Sequence, residues 1–213
     1  AFAYRKESVF PQGILSKQIK KIEEKEYPYE LIKLERDETG IIAKRTSKLP
    51  ISQFPVNKKQ QDKTGSTVVW ERPAKKRPDF GAYYASIDPV SEGKTTTSDS
   101  LCSIFVYKNA IEVTRTLAGG DVEQFVEKDK IVAAWCGRFD DINKTHERLE
   151  MIIEWYNAWT VVENNISLFI QHMIARKKQR YLVPKQQILF LKDLGSNKTV
   201  YQEYGWKNTG TLF

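Results

Sequence analysis

At 213 residues, with 34 Lys and Arg against 27 Asp and Glu for a net charge of +7, the chain has the length of one domain with an appendage and can bury a core without disulfide or metal staples. Its 40% apolar and 12% aromatic content excludes wholesale disorder; no apolar run reaches the ~20 residues of a membrane helix, and the first residues are not a basic-then-apolar secretory leader. Two cysteines, Cys102 and Cys136, and two scattered histidines make neither a disulfide framework nor a Cys/His zinc module, and they suit a reducing compartment.

The chain starts at Ala1 rather than Met and reads as a processed protein or a fragment. No internal repeat is visible. Residues 16–26 read as a short charged helix with Ile19 and Ile22 on one face. Strand-like pieces follow at 29–34 and 40–44, a polar loop at 58–63, and Pro50, Pro55, Pro73 and Pro78 break any long element. Residues 1–80 are therefore expected to form a connector or β-rich arm leading into a compact domain over 81–213.

That domain opens with the strand Tyr83-Tyr84-Ala85-Ser86-Ile87-Asp88, stopped by Pro89, which cannot donate to a central ladder. A loop rich in Gly, Ser and Thr covers 90–98. A second strand runs over 101–107, Lys108-Asn109 turns, and a third strand over 110–117 ends at Gly119-Gly120. Three strands with short links predict an antiparallel meander.

The period then changes. Leu149, Ile152, Ile153 and Tyr156 recur at i, i+3, i+4 and i+7, with Thr145 as N-cap of an amphipathic helix. Thr160-Val161-Val162-Glu163 is a short apolar strand behind that helical crossover, the setting of a buried parallel strand. Asn164 or Asn165 caps a second helix with Ile166, Phe169, Ile170, Met173 and Ile174 on its apolar face. The basic run 176–180 closes it, where cations suit the helix dipole, and 181–183 reads as a last short strand. The order β-β-β-α-β-α-β is the plan of the ribonuclease H-like fold. Its α/β mixed sheet joins an antiparallel three-strand meander to parallel strands, flanked by helices. The first and fourth strands lie side by side, ~4.8 Å apart, with their C-terminal ends at one edge.

Asp88 ends the first strand and Glu163 the fourth. In that topology two carboxylates face each other across one strand spacing, and such a pair calls for a cation. Oxygen donors without His or Cys nearby suit Mg2+ or Mn2+. Two such ions ~3.5–4 Å apart would clamp the attacking water and the leaving oxygen of a phosphodiester. Taken singly, each acid is also an ordinary strand end, since Asp-Pro and Glu-Asn are common turn pairs; the two together point to metal-dependent nuclease chemistry. Asp99, opening the second strand, is either a further metal or orienting ligand or a strand-start residue satisfying loop amides. Asp121, Asp140 and Asp141 lie beside turns and read as structural or solvated.

Gly93-Lys94-Thr95 imitates the end of a phosphate-binding loop. The motif needs glycine where Asp88 stands and must run into a helix, whereas here a strand follows. Lys94 is then a DNA-phosphate contact or a solvated loop lysine. A pI near 9.2 fits a polyanion partner. The cluster Arg176, Lys177, Lys178 and Arg180, and the run Lys75-Lys76-Arg77, are further candidates for phosphate contact, with a solvated helix end as the alternative. Trp135, Trp155, Trp159 and Trp206 read as core or half-buried anchors rather than base-stacking platforms.

Tyr84-Ala85-Ser86-Ile87-Asp88-Pro89, the glycine-containing loop, Asp99-Ser100 and Val161-Val162-Glu163-Asn164-Asn165 resemble the nuclease domain of viral terminase large subunits, which cut concatemeric DNA during genome packaging. Tyr204-Gly205-Trp206-Lys207-Asn208-Thr209 resembles the terminase segment after the fifth strand, and Glu7-Ser8-Val9-Phe10 the stretch leaving the ATPase domain. The resemblance implies that Asp88 and Glu163 are metal-binding catalytic acids of an Mg2+- or Mn2+-dependent DNA endonuclease, with Asp99 an accessory acid. It implies double-stranded DNA, the terminase ATPase domain, the small terminase subunit and the portal as partners, and the host cytoplasm as location. The family's third catalytic acid follows the Gly-Trp segment. No acid follows Glu203 here and Asp193 precedes that segment, so the third ligand is expected to be missing. The motor ATPase is absent too, so this piece alone should not translocate DNA. Two alternatives stay open: another ribonuclease H-like enzyme of resolvase or transposase type, and a non-catalytic DNA-binding or docking module.

Overall fold

The computed structural model describes residues 20, 24, 28–51, 62–74, 78–93, 100–116, 120, 122–185, 204 and 205. Among these residues nine strands and two helices follow one another: β1 Glu30–Asp37, β2 Gly40–Arg45, β3 Thr67–Val69, β4 Tyr83–Asp88, β5 Cys102–Lys108, β6 Ile111–Thr116, β7 Val122–Glu127, β8 Lys130–Gly137, α1 Ile142–Tyr156, β9 Trp159–Val162 and α2 Leu168–Ala175, with a 3-10 turn at Gln179–Tyr181. Seven strands form one mixed sheet in the order β2-β1-β3-β8-β5-β4-β9, and β6 and β7 form a separate hairpin. The architecture is α/β. No described helix is long and apolar enough to cross a membrane.

The expected first strand is β4, and β9 lies beside it in parallel, with Ser86 opposite Val161 and Ile87 opposite Val162. The third strand of the meander differs from expectation. Residues 111–116 leave the main sheet and pair with β7, Val113 opposite Phe125. The place beside β5 is taken instead by β8, antiparallel, with Ile104 opposite Trp135. The reason is apolar content. β8 reads Ile131-Val132-Ala133-Ala134-Trp135, and Val132, Ala133 and Trp135 are buried, each large apolar side chain contributing about 1.5–3 kcal/mol. The segment Ile111-Glu112-Val113-Thr114-Arg115-Thr116 has too little apolar surface to compete for that slot.

The N-terminal arm is part of the sheet. β3 pairs with β8 and β1 with β3, so β1 to β3 extend the sheet beyond β8. Of the helix read over 16–26, only Lys20 and Glu24 are described, joined by a Glu24 N–H donated to the Lys20 carbonyl at 2.9 Å. The loop read over 58–63 lies mostly outside the described residues.

Alternation sorts the two faces of the sheet. Ile32, Leu34, Tyr83, Ala85, Ile87, Cys102, Ile104 and Val106 are buried on the face that takes α1, where Tyr156 meets Tyr83 edge-on at 5.1 Å. α2 packs on α1 through Phe169, whose ring lies 5.6 Å from that of His146. The other face is open at its centre: Phe105 is 42% and Tyr107 38% exposed.

The helix starts differ from expectation. Asp141, not Thr145, caps α1, its Oδ1 accepting the Asn143 N–H at 2.9 Å. Thr145 sits one turn in, buried, its Oγ1 accepting the Phe139 N–H. α2 starts after Ser167, because Asn164 and Asn165 turn elsewhere. Residues 181–183 are not a regular strand; Leu182 makes one parallel bridge to Thr160 at the outer edge of β9.

Candidate functional site

The parallel ladder between β4 and β9 continues one step past the last paired residues: the Glu163 N–H donates to the Ile87 carbonyl at 2.9 Å. Asp88 and Glu163 therefore leave neighbouring strands level with each other, ~4.8 Å apart along the hydrogen-bonding direction. Alternation sets their face. Ile87 and Val162 are buried under the helices, so Asp88 and Glu163 fall on the open face with Ser86 and Val161. Asp88 is exposed and Glu163 half-buried. The Glu163 Oε1 accepts the Asn165 side-chain amide at 2.7 Å, which fixes the carboxylate's orientation. The Asp88 carboxylate has no hydrogen-bond or ion-pair partner among the described residues.

Across the open face the row runs from Glu163 through Asp88 and Ser103 to Cys136. The Cys136 thiol feels it: burial, and then the charge of Asp88, push it up to about 11. Burial and the same charge raise Cys102 further. Neither cysteine is a nucleophile at neutral pH.

A cleft of about 200 Å3 opens beside Asp88, walled by Glu92, Ser100, Arg138 and Ile166 among others; Glu163 is not one of its walls. Two of these residues escaped the sequence reading. Glu92 stands four positions after Asp88 in the glycine-containing loop, where only Lys94 was singled out. Arg138 follows β8, a strand the sequence does not announce, and it is 4% exposed. The loop is held close: a Cβ on Gly93 would lie 2.0 Å from the Asp140 carbonyl oxygen, so only glycine fits there. The next described element after this loop is a strand, β5, rather than the helix a phosphate loop requires. Lys94 and Asp99 lie outside the described residues, as does the run 75–77.

The Gly-Trp segment returns to the same edge. Gly205 has φ +72°, and a Cβ there would sit 2.3 Å from the Val162 carbonyl oxygen. Its N–H donates to the Val183 carbonyl, and the Asn164 side-chain amide donates to the Tyr204 carbonyl at 2.9 Å. The chain at 204–205 is thus strapped across the end of β9, next to Glu163.

The basic run 176–180 divides in two. Arg176 and Lys178 turn inward to Glu150, a carboxylate 1% exposed on α1 that also binds His172 Nε2 at 2.7 Å and Arg36 at 3.0 Å. Burial opposes ionisation of Glu150, but the hydrogen bonds from His172 and Lys178 and the nearby charges hold it down at about 2. Next to it His146 is pushed down to about 4 by burial and by His172, and is neutral at pH 7. Lys177 and Arg180 stay exposed on the other side of the turn.

Compared with protein-family models, with curated proteins and with solved structures, the chain matches none. Function has to be argued from the arrangement of its side chains.

Proposed function

We propose that this chain is a metal-dependent DNA endonuclease domain of ribonuclease H-like type, akin to the nuclease of viral packaging terminases, acting on double-stranded DNA in the host cytoplasm. One observation carries the reading: Asp88 and Glu163 end adjacent parallel strands, in register and on the same open face. Two like charges placed side by side favour a divalent cation between them.

The residues present fit Mg2+ or Mn2+. Both donors are carboxylate oxygens, and such ions are commonly held by one or two carboxylates, the rest of the shell coming from water and substrate phosphate. Among the described residues no group of three or more His, Cys, Asp or Glu converges on one point, so Asp88 and Glu163 would be the protein's contribution here, with Asp99 as a further ligand. A bound divalent ion supplies charge that offsets the scissile phosphate and activates the attacking water. The chain's own residues then have distinct tasks. Asn165 orients Glu163. Arg138, walling the cleft beside Asp88, places positive charge where phosphate oxygens would lie. The open face around Ser103 and Phe105 leaves room for a nucleic-acid strand. The ATPase domain, the small terminase subunit and the portal are the partners this reading implies.

Supercoiled plasmid incubated with Mn2+ tests it. The expected result is nicking or linearisation that EDTA abolishes and that Asp88→Ala and Glu163→Ala each remove. Cleavage that survives both substitutions refutes it. Salt-dependent binding without cleavage under any metal would leave a DNA-binding module. Preference for branched substrates would move the assignment to the resolvase type.

A further inference from the structure

A second concave site lies along the outer edge of β9, reaching past Trp159. Phe80, Trp159, Lys177, Gln179, Arg180, Leu182, Pro184 and Tyr204 wall a groove of about 380 Å3. Its aromatic members are gathered and partly bare. Phe80 is 51% exposed, with its ring centroid 6.0 Å from that of Trp159 and 6.5 Å from that of Tyr181. Trp159 is held in place from below by Tyr84 at 6.1 Å and by its indole N–H, which donates to the Leu182 carbonyl at 3.4 Å.

The cations of this groove have no carboxylate partners among the described residues. Arg180 lies over the Tyr181 ring at 4.6 Å and donates to the Tyr181 hydroxyl at 2.6 Å, contacts that do not neutralise its guanidinium. Lys177 occupies the left-handed region, with φ 57°. Its N–H donates to the Ile174 carbonyl and that of Lys178 to the Met173 carbonyl, the paired closure of a helix end that normally takes glycine at this position. A lysine here is strained, and the same turn sends Lys178 to Glu150 and leaves Lys177 exposed beside the groove. A backbone that accepts strain to present a cation is a feature of ligand sites.

We propose that this groove binds single-stranded nucleic acid, with bases stacking on Phe80 and Trp159 and phosphates held by Lys177 and Arg180. Flat π faces flanked by cations that no described carboxylate pairs are the two elements of sequence-tolerant strand binding. A peptide strand is the poorer occupant: Leu182 already bridges the edge of β9, and the Val183 N–H donates to the Thr160 carbonyl, so that edge is not free to add a strand. A duplex keeps its base faces stacked on one another and offers only their edges, so it cannot stack on Phe80 and Trp159. The path out of the groove is defined. Trp159 and Glu163 lie on the same face of one strand, four residues or ~13 Å apart, about four nucleotides at the ~3.4 Å rise of a B-form strand. A strand seated on Trp159 runs along the open face toward the acid pair, so the groove sets which end of an unpaired strand reaches Asp88 and Glu163. The binding itself does not rest on those acids being catalytic.

The test is fluorescence anisotropy of a short labelled oligothymidylate with the full chain in EDTA, over a range of salt. Binding is expected to resist competition by duplex of equal length. Phe80→Ala should weaken it about fivefold to a hundredfold, the usual loss of one stacked base. Arg180→Ala should weaken it and lower the salt slope by ~0.7. Lys177→Gly is the decisive variant: it relieves the left-handed strain, so it should raise the melting temperature while weakening the oligonucleotide and lowering the salt slope by the same amount. Lys33→Ala, which removes equal charge far from the groove, should leave affinity unchanged. Affinity unaltered by Phe80→Ala, Arg180→Ala and Lys177→Gly, or equal affinity for duplex with no effect of Phe80→Ala, overturns the proposal. Because no cleavage is read, loss of the nuclease assignment would leave this result standing, and the reverse also holds.

Discussion

Replacing Asp88 with Asn removes one of two adjacent like charges while keeping the side-chain shape. With the carboxylates level on neighbouring parallel strands, a charge separation of ~5 Å gives a repulsion of about 1 kcal/mol in water and about 3 kcal/mol at an effective dielectric of ~20. Asp88 is exposed and Glu163 half-buried, so the lower figure governs. In EDTA, Asp88→Asn should therefore stabilise the fold by about 1 kcal/mol, or about 2–4 °C in melting temperature for a chain of this size. Mn2+ should reverse the ranking. At a concentration ~100 times its dissociation constant, a native-state ligand contributes about 2.7 kcal/mol, raising the wild-type melting temperature by about 5–10 °C, and Asp88→Asn should lose most of that rise. Thermal unfolding followed by circular dichroism, with MnCl2 titrated after EDTA treatment, reads both effects. Glu38→Gln, at the distant β1–β2 turn, controls for general charge loss. An Mn2+-dependent rise of the same size in Asp88→Asn, or a loss of stability in EDTA, would refute a shared cation between Asp88 and Glu163.

The Cys136 thiol offers an independent readout: its rise from 9.0 to about 11 has burial as the larger cause and the charge of Asp88 as the smaller, so Asp88→Asn, or Mn2+ bound there, should speed its alkylation at pH 8.5 by at most about tenfold, and an unchanged rate would place the two apart. Glu150, held at about 2 against an ordinary 4.5, stabilises the fold above pH 4.5 by about 3 kcal/mol and loses that contribution as pH falls through about 2. Urea midpoints measured from pH 5 to 2 should drop more steeply for wild type than for Glu150→Gln, and parallel curves would sink the assignment. Gly205→Ala should cost more than ~1 kcal/mol, since φ +72° and a 2.3 Å approach to the Val162 carbonyl both oppose a side chain; a melting temperature equal to wild type would show that the strap across β9 does not hold.

Much of the strand order was readable because its signals are local. Pro89 marks where β4 stops, and the switch from a period of two to a period near four separates the meander from α1. The crossover helix in front of Val161-Val162 makes that strand parallel to its neighbour for chain-topology reasons alone. The third strand, expected over 110–117, is present as β6, but its partner was not readable and β8 was not read at all. Only competition for the buried slot beside β5, a non-local matter of apolar area, gives that place to Lys130–Gly137. The helix caps failed for a related reason: Asp141, Thr145, Asn164 and Ser167 are all acceptable caps, and tertiary contacts such as Asn164 to Tyr204 select among them. At the site, Asp88 and Glu163 could be paired from topology, whereas Glu92 and Arg138 join Asp88 as walls of one cleft through loop packing that no spacing encodes. The basic run 176–180 looked uniform in sequence, and only the fold shows Glu150 claiming Arg176 and Lys178.

Both proposed sites depend on the same parity in β9. Trp159, Val161 and Glu163 face the open side, and Thr160 and Val162 face the core. A slip of one residue would bury Glu163 and Trp159 together and expose two core positions. An edge strand of four residues has few ladder bonds with which to resist that slip. Its outer side is therefore where register has to be fixed, and the contacts there do so: Leu182 bridges Thr160, the Val183 N–H binds the Thr160 carbonyl, and Gly205 lies against the Val162 carbonyl. The Glu163 N–H closes the inner side on Ile87. The covering of β9 by 182–183 and 204–205 thus removes an aggregation-prone edge and, by the same contacts, keeps an acid and an aromatic platform on one surface of the sheet.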